Sequence, residues 1–334
     1  MRRTGKMALL VLAASALALV LVLGAYRRDM RRAHIAVEGA AVALTSAGPI
    51  EYSEAGEGVP VLSIHGAGGG WDQGLANVAG VFDAGFRVIA PSRFGYLGTP
   101  LPGEASVSAQ ADAHAALLSS LAVDRAVVVG VSAGARSALE LALRHPDRVS
   151  ALVLIVPGTY APDNPVAIED SRGSALAFRL VSAGADFAWW AVEKTAPSTL
   201  VRFLGVDPAL LDAATPQERE AVFDVVHSVQ PLSRRVAGIN LDSTPDTVRP
   251  PLERIAVPTL IVTARDDLFN TLPAAEFAAR TVPDAELVVF DTGGHLLVGH
   301  GVELKRAVLG FLKRVEVEDD AGHEPGFAGQ PSPE

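Results

Sequence analysis

The sequence predicts an α/β protein with a mainly parallel, doubly wound sheet, preceded by a transmembrane helix. Short apolar runs rich in β-branched residues alternate with segments of helical periodicity between Arg32 and the tail that begins at about Val315. Strands that are apolar along their whole length are buried on both faces, as in parallel sheets that helices cover on both sides. An uncharged run of 20 residues near the amino terminus predicts the membrane helix.

The predicted elements follow each other in a regular order. The stretches "AAVALTSAG" and "IEYSEAGEG" predict an opening hairpin. Six further strands, each taken with the loop that follows it, are predicted at Val59–Gly66, Phe86–Gly95, Arg125–Ser132, Val149–Gly158, Val257–Asp267 and Ala285–His295. Helical patterns connect them, among them about Ala105–Leu121 and a helix after Ser132 that Pro146 stops.

The stretch from about Thr159 to Leu252 interrupts this order, because it has several helical patterns and no clear strand. We interpret it as a helical lid inserted between two core strands. Its segment "DFAWWAVEK" contains Trp189 and Trp190, which point about 100° apart on a helix. At most one of them is expected to line a pocket, and core packing is the expected role of either. The predicted domains are a membrane anchor (1–32), a core (33–158 and 253–315), the lid (159–252) and a disordered acidic tail (316–334).

The amino-terminal run extends from Met7 to Tyr26 and is about 30 Å long as a helix, which matches the hydrocarbon core of a bilayer. Arginines at positions 27, 28, 31 and 32 follow it and disfavour cleavage just after the run. We therefore expect an uncleaved single-pass anchor, with a cleaved signal peptide as the alternative. Three cations also precede the run, so the positive-inside rule supports the two orientations of the helix almost equally. We expect the following domain outside the cytoplasm, because moving the cationic tail across the membrane is the harder route.

Charge and composition exclude several classes of function. The formal net charge of −10 argues against nucleic acid as a partner. Residues 1–32 hold seven basic groups and one acid, and the remainder holds 21 basic and 37 acidic groups, which indicates that the amino-terminal part contacts anionic membrane lipid. The absence of cysteine excludes disulfides and a cysteine nucleophile. We find no metal-ligand spacing and no phosphate-binding loop, so we expect no metal and no cofactor.

The stretch "VVVGVSAGARSALELAL" contains a Gly-x-Ser-x-Gly pattern centred on Ser132. This pattern alone is permissive, and a small residue in a tight turn is the alternative interpretation. A strand directly before it and a helix directly after it indicate a sharp turn that exposes the hydroxyl above the sheet. Ser132 is therefore the candidate nucleophile, and side chains at Gly130 or Gly134 are expected to collide with neighbouring backbone.

A serine hydroxyl needs a base and a group that orients the base. His295 lies in a Gly-rich turn after the last predicted strand and is the candidate base. The orienting acid is expected between serine and histidine in chain order. Asp267 is favoured over Asp266, which is expected to brace the turn, and Asp163 is a remote third candidate.

Two N–H donors are needed for the oxyanion that forms during attack on a carbonyl. The Ala133 N–H lies at the start of the helix that follows the candidate nucleophile, where the helix dipole favours negative charge. The second donor is expected in "HGAGGGWDQG", with Ala67 first and Gly68 next. His65 is expected to brace this loop.

Taken together, "SIHGAGGGWDQ", "PSRFGYLGTP", "GVSAG", "VPTLIVTARDD" and "GGH" occur in an order that resembles the serine-nucleophile branch of the α/β-hydrolase superfamily. The resemblance covers about Ile50 to Val315 and implies that superfamily's fold. Serine at the elbow disfavours the dehalogenase and epoxide-hydrolase activities, whose branches use aspartate. Ser92 stands where the family frequently has an acid, which puts a second acidic contact there in doubt.

The expected activity is carboxylic-ester hydrolysis through a Ser132–His295–Asp267 triad and an acyl-enzyme, as in esterases or lipases. An apolar lid beside a membrane helix favours a small, apolar ester-like substrate. The same triad also serves C–C bond, lactone and peptide-type hydrolysis and cofactor-free haloperoxidation, so these remain alternatives. A non-catalytic binding protein of the same fold is a further alternative.

Overall fold

The computed structural model describes residues 2–162, 181, 183–244 and 248–317. Eight strands form one sheet in the order β1-β2-β4-β3-β5-β6-β7-β8. The strands are β1 (Ala41–Thr45), β2 (Gly48–Gly56), β3 (Gly58–Ile64), β4 (Gly85–Pro91), β5 (Ala126–Val131), β6 (Val149–Ile155), β7 (Thr259–Ala264) and β8 (Ala285–Phe290). β2 pairs antiparallel with both β1 and β4, and the other five pairs are parallel. The prediction of a mainly parallel sheet is confirmed.

Helices cover both faces of the sheet because the central strands are apolar on both sides. Along β5, Val128 packs with residues of one apolar cluster, whereas Val127 and Val129 pack with the other. The helices of the sheet region are α2 (Trp71–Ala76), α3 (Val107–Ser120), α4 (Gly134–Arg144), α10 (Leu272–Thr281) and α11 (Gly301–Arg314). Helices α3, α4 and α10 contribute to the first cluster and α11 to the second, so the sheet is doubly wound.

The segment between β6 and β7, here called the insertion (residues 156–258), contains no strand in its described part. Its helices are α5 (Asp186–Thr195), α6 (Pro197–Phe203), α7 (Leu210–Ala213), α8 (Pro216–Ser228) and α9 (Val236–Asp242). They share an apolar cluster of their own that includes Trp189, Val201, Val226 and Leu232. The insertion therefore has a small core separate from the two faces of the sheet.

Helix α1 (Arg2–Ala36) is continuous and longer than the apolar run that predicts it. Its residues from Leu9 onward include an 18-residue window of mean hydropathy 2.5, none of which is buried. The helix continues through the arginine-rich segment because no proline interrupts it and arginine is a good helix former. Its carboxyl-terminal part packs on the protein, where Met30 and the following Val37 are buried.

Candidate active site

Ser132 stands in a sharp turn between β5 and α4. Its backbone φ is +52°, a left-handed conformation that side chains other than glycine rarely adopt. Hydrogen bonds hold this turn, since the Ser132 N–H donates to Ile155 O at 2.9 Å and its carbonyl accepts from Gly158 N at 3.0 Å. The strained conformation is typical of functional positions and is imposed by β6 and the loop that follows it.

The two glycines around Ser132 are required by close packing. A Cβ on Gly130 would lie 2.6 Å from Ala138 Cβ on α4. A Cβ on Gly134 would lie 2.5 Å from the carbonyl oxygen of His65, at the end of β3. The pattern around Ser132 thus has the steric basis that the sequence predicts.

The loops after β7 and β8 bring Asp267 and His295 together. Nδ1 of His295 lies 2.8 Å from Oδ2 of Asp267, and both side chains are buried. Asp266 has a different role, because its carboxylate accepts the N–H groups of Gly293 and Gly294 and so fixes the turn that precedes His295. Asp163, the third candidate acid, lies outside the described residues.

The surroundings of Asp267 keep it ionised. Burial opposes ionisation, but the interaction with His295 and hydrogen bonds from Thr271 Oγ1 and Phe269 N outweigh burial, so the pKa of Asp267 is below its usual value. A carboxylate only accepts hydrogen bonds, so His295 must carry its proton on Nδ1. Nε2 is then left as an acceptor, which is the tautomer that a general base requires.

Gly205, in the insertion after α6, joins the two loops of this pair. Its carbonyl oxygen accepts the N–H of His295 at 3.0 Å and the N–H of Leu268 at 3.1 Å. Its φ is +81°, and a Cβ would lie 2.6 Å from His295 Cβ and 2.8 Å from the ring of Phe269. The insertion therefore fixes the spacing between the two loops, and only glycine fits at this point.

The backbone N–H groups of Ala67 and Ala133 lie beside Ser132 and have no hydrogen-bond acceptor among the described residues. The loop of Ala67 lies against the serine, because a Cβ on Gly66 would be 3.0 Å from Ser132 Cβ. Gly68, the other candidate donor, directs its N–H to Tyr96 Oη at 3.4 Å. Ala67 is consequently the better candidate of the two.

A buried ion pair supports the loop that carries Ala67. Arg93, after β4, forms two hydrogen bonds with the carboxylate of Asp242 at the end of α9 and also donates to the carbonyl oxygens of His65 and Gly66. Tyr96 Oη donates to the same carboxylate at 2.5 Å. The sheet region and the insertion are thus joined directly behind the loop.

His65 braces this loop, as the sequence predicts. Its Nε2 accepts the N–H of Arg93 at 3.0 Å, and its Nδ1 donates to Gly66 O at 2.7 Å. Burial and the nearby charge of Arg93 keep the pKa of His65 well below its usual value, so the ring is neutral.

A cavity of about 550 Å³ connects Ser132, His295, Ala67 and Ala133. This volume lies in the range of small-molecule sites. Its wall is mainly apolar and comes largely from the insertion: Val181, Trp189, Phe203, Leu204, Val225, Val229 and Ile239. The described lining contains one arginine, Arg136, whose guanidinium donates to the carbonyls of Gly158, Asp242 and Thr244.

The two adjacent tryptophans face different neighbours. Trp189 lines the cavity and donates its Nε1–H to Val226 O at 3.2 Å. Trp190 is buried against α1 instead.

Within the described ranges, no group of three or more histidine, aspartate or glutamate side chains is placed to hold a metal ion.

Sequence reasoning did not identify Gly205, Thr271, Arg93 or Asp242 as parts of the site. Gly205 acts through its backbone, and Arg93 and Asp242 act through partners distant in sequence, so no local motif signals them. Thr271 donates to Asp267 from only four residues further on, but a threonine at that spacing is not part of any motif found in the sequence. The sequence places a serine, Ser92, where the family frequently has an acid. The structure places a different acid beside it, because Ser92 Oγ donates to the buried carboxylate of Glu51 on β2 at 2.9 Å.

Sequence comparison with known proteins supports this architecture. A sequence model of the alpha/beta hydrolase fold matches residues 59–301. A 2-hydroxy-6-oxo-6-phenylhexa-2,4-dienoate hydrolase from Burkholderia cepacia is 29% identical over 79% of this chain and 91% of its own length. A pimeloyl-[acyl-carrier protein] methyl ester esterase from Aromatoleum aromaticum is 34% identical over 64% of this chain and 81% of its own length.

The structural comparison leads to the same family. An alpha/beta hydrolase fold protein from Nakamurella multipartita superposes with a TM-score of 0.61 and 28% identity, covering 82% of this chain and 99% of its own. The match of the family model over more than half of the chain, together with these relatives, makes the protein an enzyme that belongs to the alpha/beta-hydrolase family.

Proposed function

We propose that the protein is a carboxylic-ester hydrolase that uses Ser132 as nucleophile, His295 as general base and Asp267 to orient the base. The observation that carries the proposal is the buried His295–Asp267 contact beside a cavity that also reaches Ser132 and the N–H groups of Ala67 and Ala133, which have no acceptor in the described part of the chain. This arrangement provides an attacking group, a proton acceptor and stabilisation for an oxyanion.

The reaction proceeds in two steps. Ser132 Oγ attacks the ester carbonyl carbon while Nε2 of His295 takes its proton, and the N–H groups of Ala67 and Ala133 donate to the oxyanion. His295 then protonates the departing alcohol, which leaves an acyl-enzyme. In the second step His295 takes a proton from water, the hydroxide attacks the acyl carbon, and Ser132 regains its proton as the acid departs.

Hydrolysis of a C–C bond is the second candidate, because several relatives are named as hydrolases of 2-hydroxy-6-oxo-dienoates. The polar groups that line the cavity favour a neutral ester over a dienoate as the substrate. A dienoate carries a carboxylate, and the only arginine in the described lining already donates to three carbonyls and lies beside Asp242. A neutral ester with an apolar acyl group suits the mainly apolar wall better.

A serine-directed fluorophosphonate probe and p-nitrophenyl butyrate test the proposal. Ser132→Ala is expected to lose both labelling and turnover, whereas the control Ser120→Ala, on α3 with its hydroxyl donating to Leu117 O, should keep both. Retained turnover in folded Ser132→Ala would overturn the proposal. Cleavage of a 2-hydroxy-6-oxo-dienoate in preference to esters would favour the second candidate.

We also infer that the insertion acts as a lid over the cavity and that residues 1–32 anchor the enzyme in a membrane, with the remaining chain outside the cytoplasm. The apolar lining from the insertion and the exposed apolar part of α1 support these two roles. Resistance of the membrane-bound enzyme to alkaline extraction and an intact amino terminus by protein sequencing are expected. Release of a shortened soluble form would instead identify a cleaved signal peptide.

A further inference from the structure

Helix α1 is docked on the insertion at the place where its apolar run ends. The ring of Tyr26 contacts those of Phe187 and Trp190 on α5, with centroids 5.1 and 5.5 Å apart. Trp190 Nε1 donates to Asp29 Oδ2 at 3.1 Å, and Lys194 Nζ lies 3.4 Å from the same oxygen. These contacts join a membrane-spanning candidate to a wall of the substrate cavity.

The residues of α1 divide into two faces after the apolar run. Tyr26, Asp29 and Met30 are spaced by three and four residues, so they share the face that packs on the protein. The arginines at positions 27, 28, 31 and 32 are exposed. One face therefore contacts the insertion, while the other presents four cations at the level where lipid headgroups would lie.

The junction also has the composition of a membrane interface. Tyrosine and tryptophan are enriched where the hydrocarbon core meets the headgroups, because their rings are apolar and their tips are polar. Tyr26 ends the uncharged run, so Trp190 and Phe187 lie at the same depth as this boundary. Phe187 is 45% exposed although it is a large apolar side chain at the start of α5.

Helix α5 also reaches the cavity. Trp189 and Trp190 are successive residues of α5 and point about 100° apart. Trp190 contacts Tyr26, whereas Trp189 lines the cavity that contains Ser132. Helix α5 thus contacts both the cavity and the boundary of the apolar run, so the width of one helix, roughly 10 Å, is enough to bridge them.

We propose that α5 is the membrane-facing wall of the substrate cavity and that the enzyme takes amphiphilic esters with long acyl chains directly from the lipid leaflet. This inference rests on the proposed ester hydrolysis and on membrane insertion of α1. The Tyr26–Phe187–Trp190 junction holds α5 at the bilayer surface, and the exposed arginines bind anionic headgroups. A long acyl chain then moves from the leaflet into the apolar cavity with little exposure to water.

The test uses the full chain reconstituted into vesicles that contain an anionic phospholipid. Two esters are compared: water-soluble p-nitrophenyl butyrate and a long-chain 4-methylumbelliferyl ester dissolved in the bilayer. Phe187→Gln is expected to lower hydrolysis of the bilayer ester by about tenfold, with hydrolysis of the soluble ester changed by less than about twofold. Leu44→Gln, an 85% exposed apolar residue on β1, is the control and should change neither rate.

A second measurement does not depend on activity. Lipids brominated near the headgroup should quench tryptophan fluorescence of the wild type, and Trp190→Phe should reduce this quenching. Unchanged quenching, or an equal loss of both ester rates in Phe187→Gln, would overturn the proposal. If the wild type hydrolyses neither ester while quenching depends on Trp190, the proposed ester hydrolysis fails and the seating of α5 at the membrane stands.

Discussion

Replacement of Gly205 by alanine tests whether the insertion positions His295. The new Cβ would lie 2.6 Å from His295 Cβ and 2.8 Å from the ring of Phe269. Carbon atoms in contact are normally about 3.5–4.0 Å apart, so the histidine loop must move by about 1 Å. A misplacement of this size can reduce a rate by about 10²-fold, which corresponds to about 2.7 kcal/mol of activation free energy.

The substitution also strains the backbone, because φ at Gly205 is +81°. This strain costs about 1–2 kcal/mol of folding free energy. Gly80→Ala is the matched control, since φ is +76° there and a Cβ would meet nothing within 4 Å. The control shows the effect of backbone strain without the collision.

The assay compares kcat for p-nitrophenyl butyrate and the free energy of unfolding in urea. Both variants should lose stability, but only Gly205→Ala should show the large fall in kcat. If kcat of folded Gly205→Ala stays within about threefold of that of Gly80→Ala, the carbonyl of Gly205 does not position His295 and the reasoning is refuted.

Three further predictions concern single side chains. Asp267→Asn is expected to lower kcat by about 10⁴-fold with the fold intact, because an amide can hold His295 in the wrong tautomer. Steady-state kinetics measures this fall in kcat, and an equal fall in Asp266→Asn would contradict the assignment of Asp267. Tyr96→Phe removes a hydrogen bond to the buried carboxylate of Asp242 and should lower the free energy of unfolding, measured in urea, by about 1.5–3 kcal/mol. The control is Tyr52→Phe, whose hydroxyl has no partner among the described residues and whose replacement should leave the free energy of unfolding nearly unchanged. Burial lowers the pKa of His114 to about 3, so the unfolded chain binds more protons and stability should fall as the pH decreases from about 6.5 toward 3. His114→Gln should reduce the slope of unfolding free energy against pH by up to about 1.4 kcal/mol per pH unit, and an unchanged slope would show that this ring is not the titrating group.

Local sequence patterns are sufficient to predict the secondary-structure elements and those candidate residues that lie in contiguous motifs. Apolar strands alternating with helical segments predicted the parallel sheet, because burial on both faces leaves this signature in consecutive residues. The turn at Ser132 was equally predictable, since the strand, the small residues and the helix that produce it are contiguous. The role of Ser132 as nucleophile remains a prediction that follows from the same local pattern.

Which side chains meet in the site depends on the packing of segments that are distant in the chain. Asp266 and Asp267 are neighbours with the same chemistry, and packing of two loops directs one to the turn before His295 and the other to its ring. The contacts of Gly205 with His295 and of Tyr26 with Trp190 join segments that are far apart in the chain. Such contacts depend on how the insertion packs against the sheet and α1, and short-range sequence patterns carry no information about that packing.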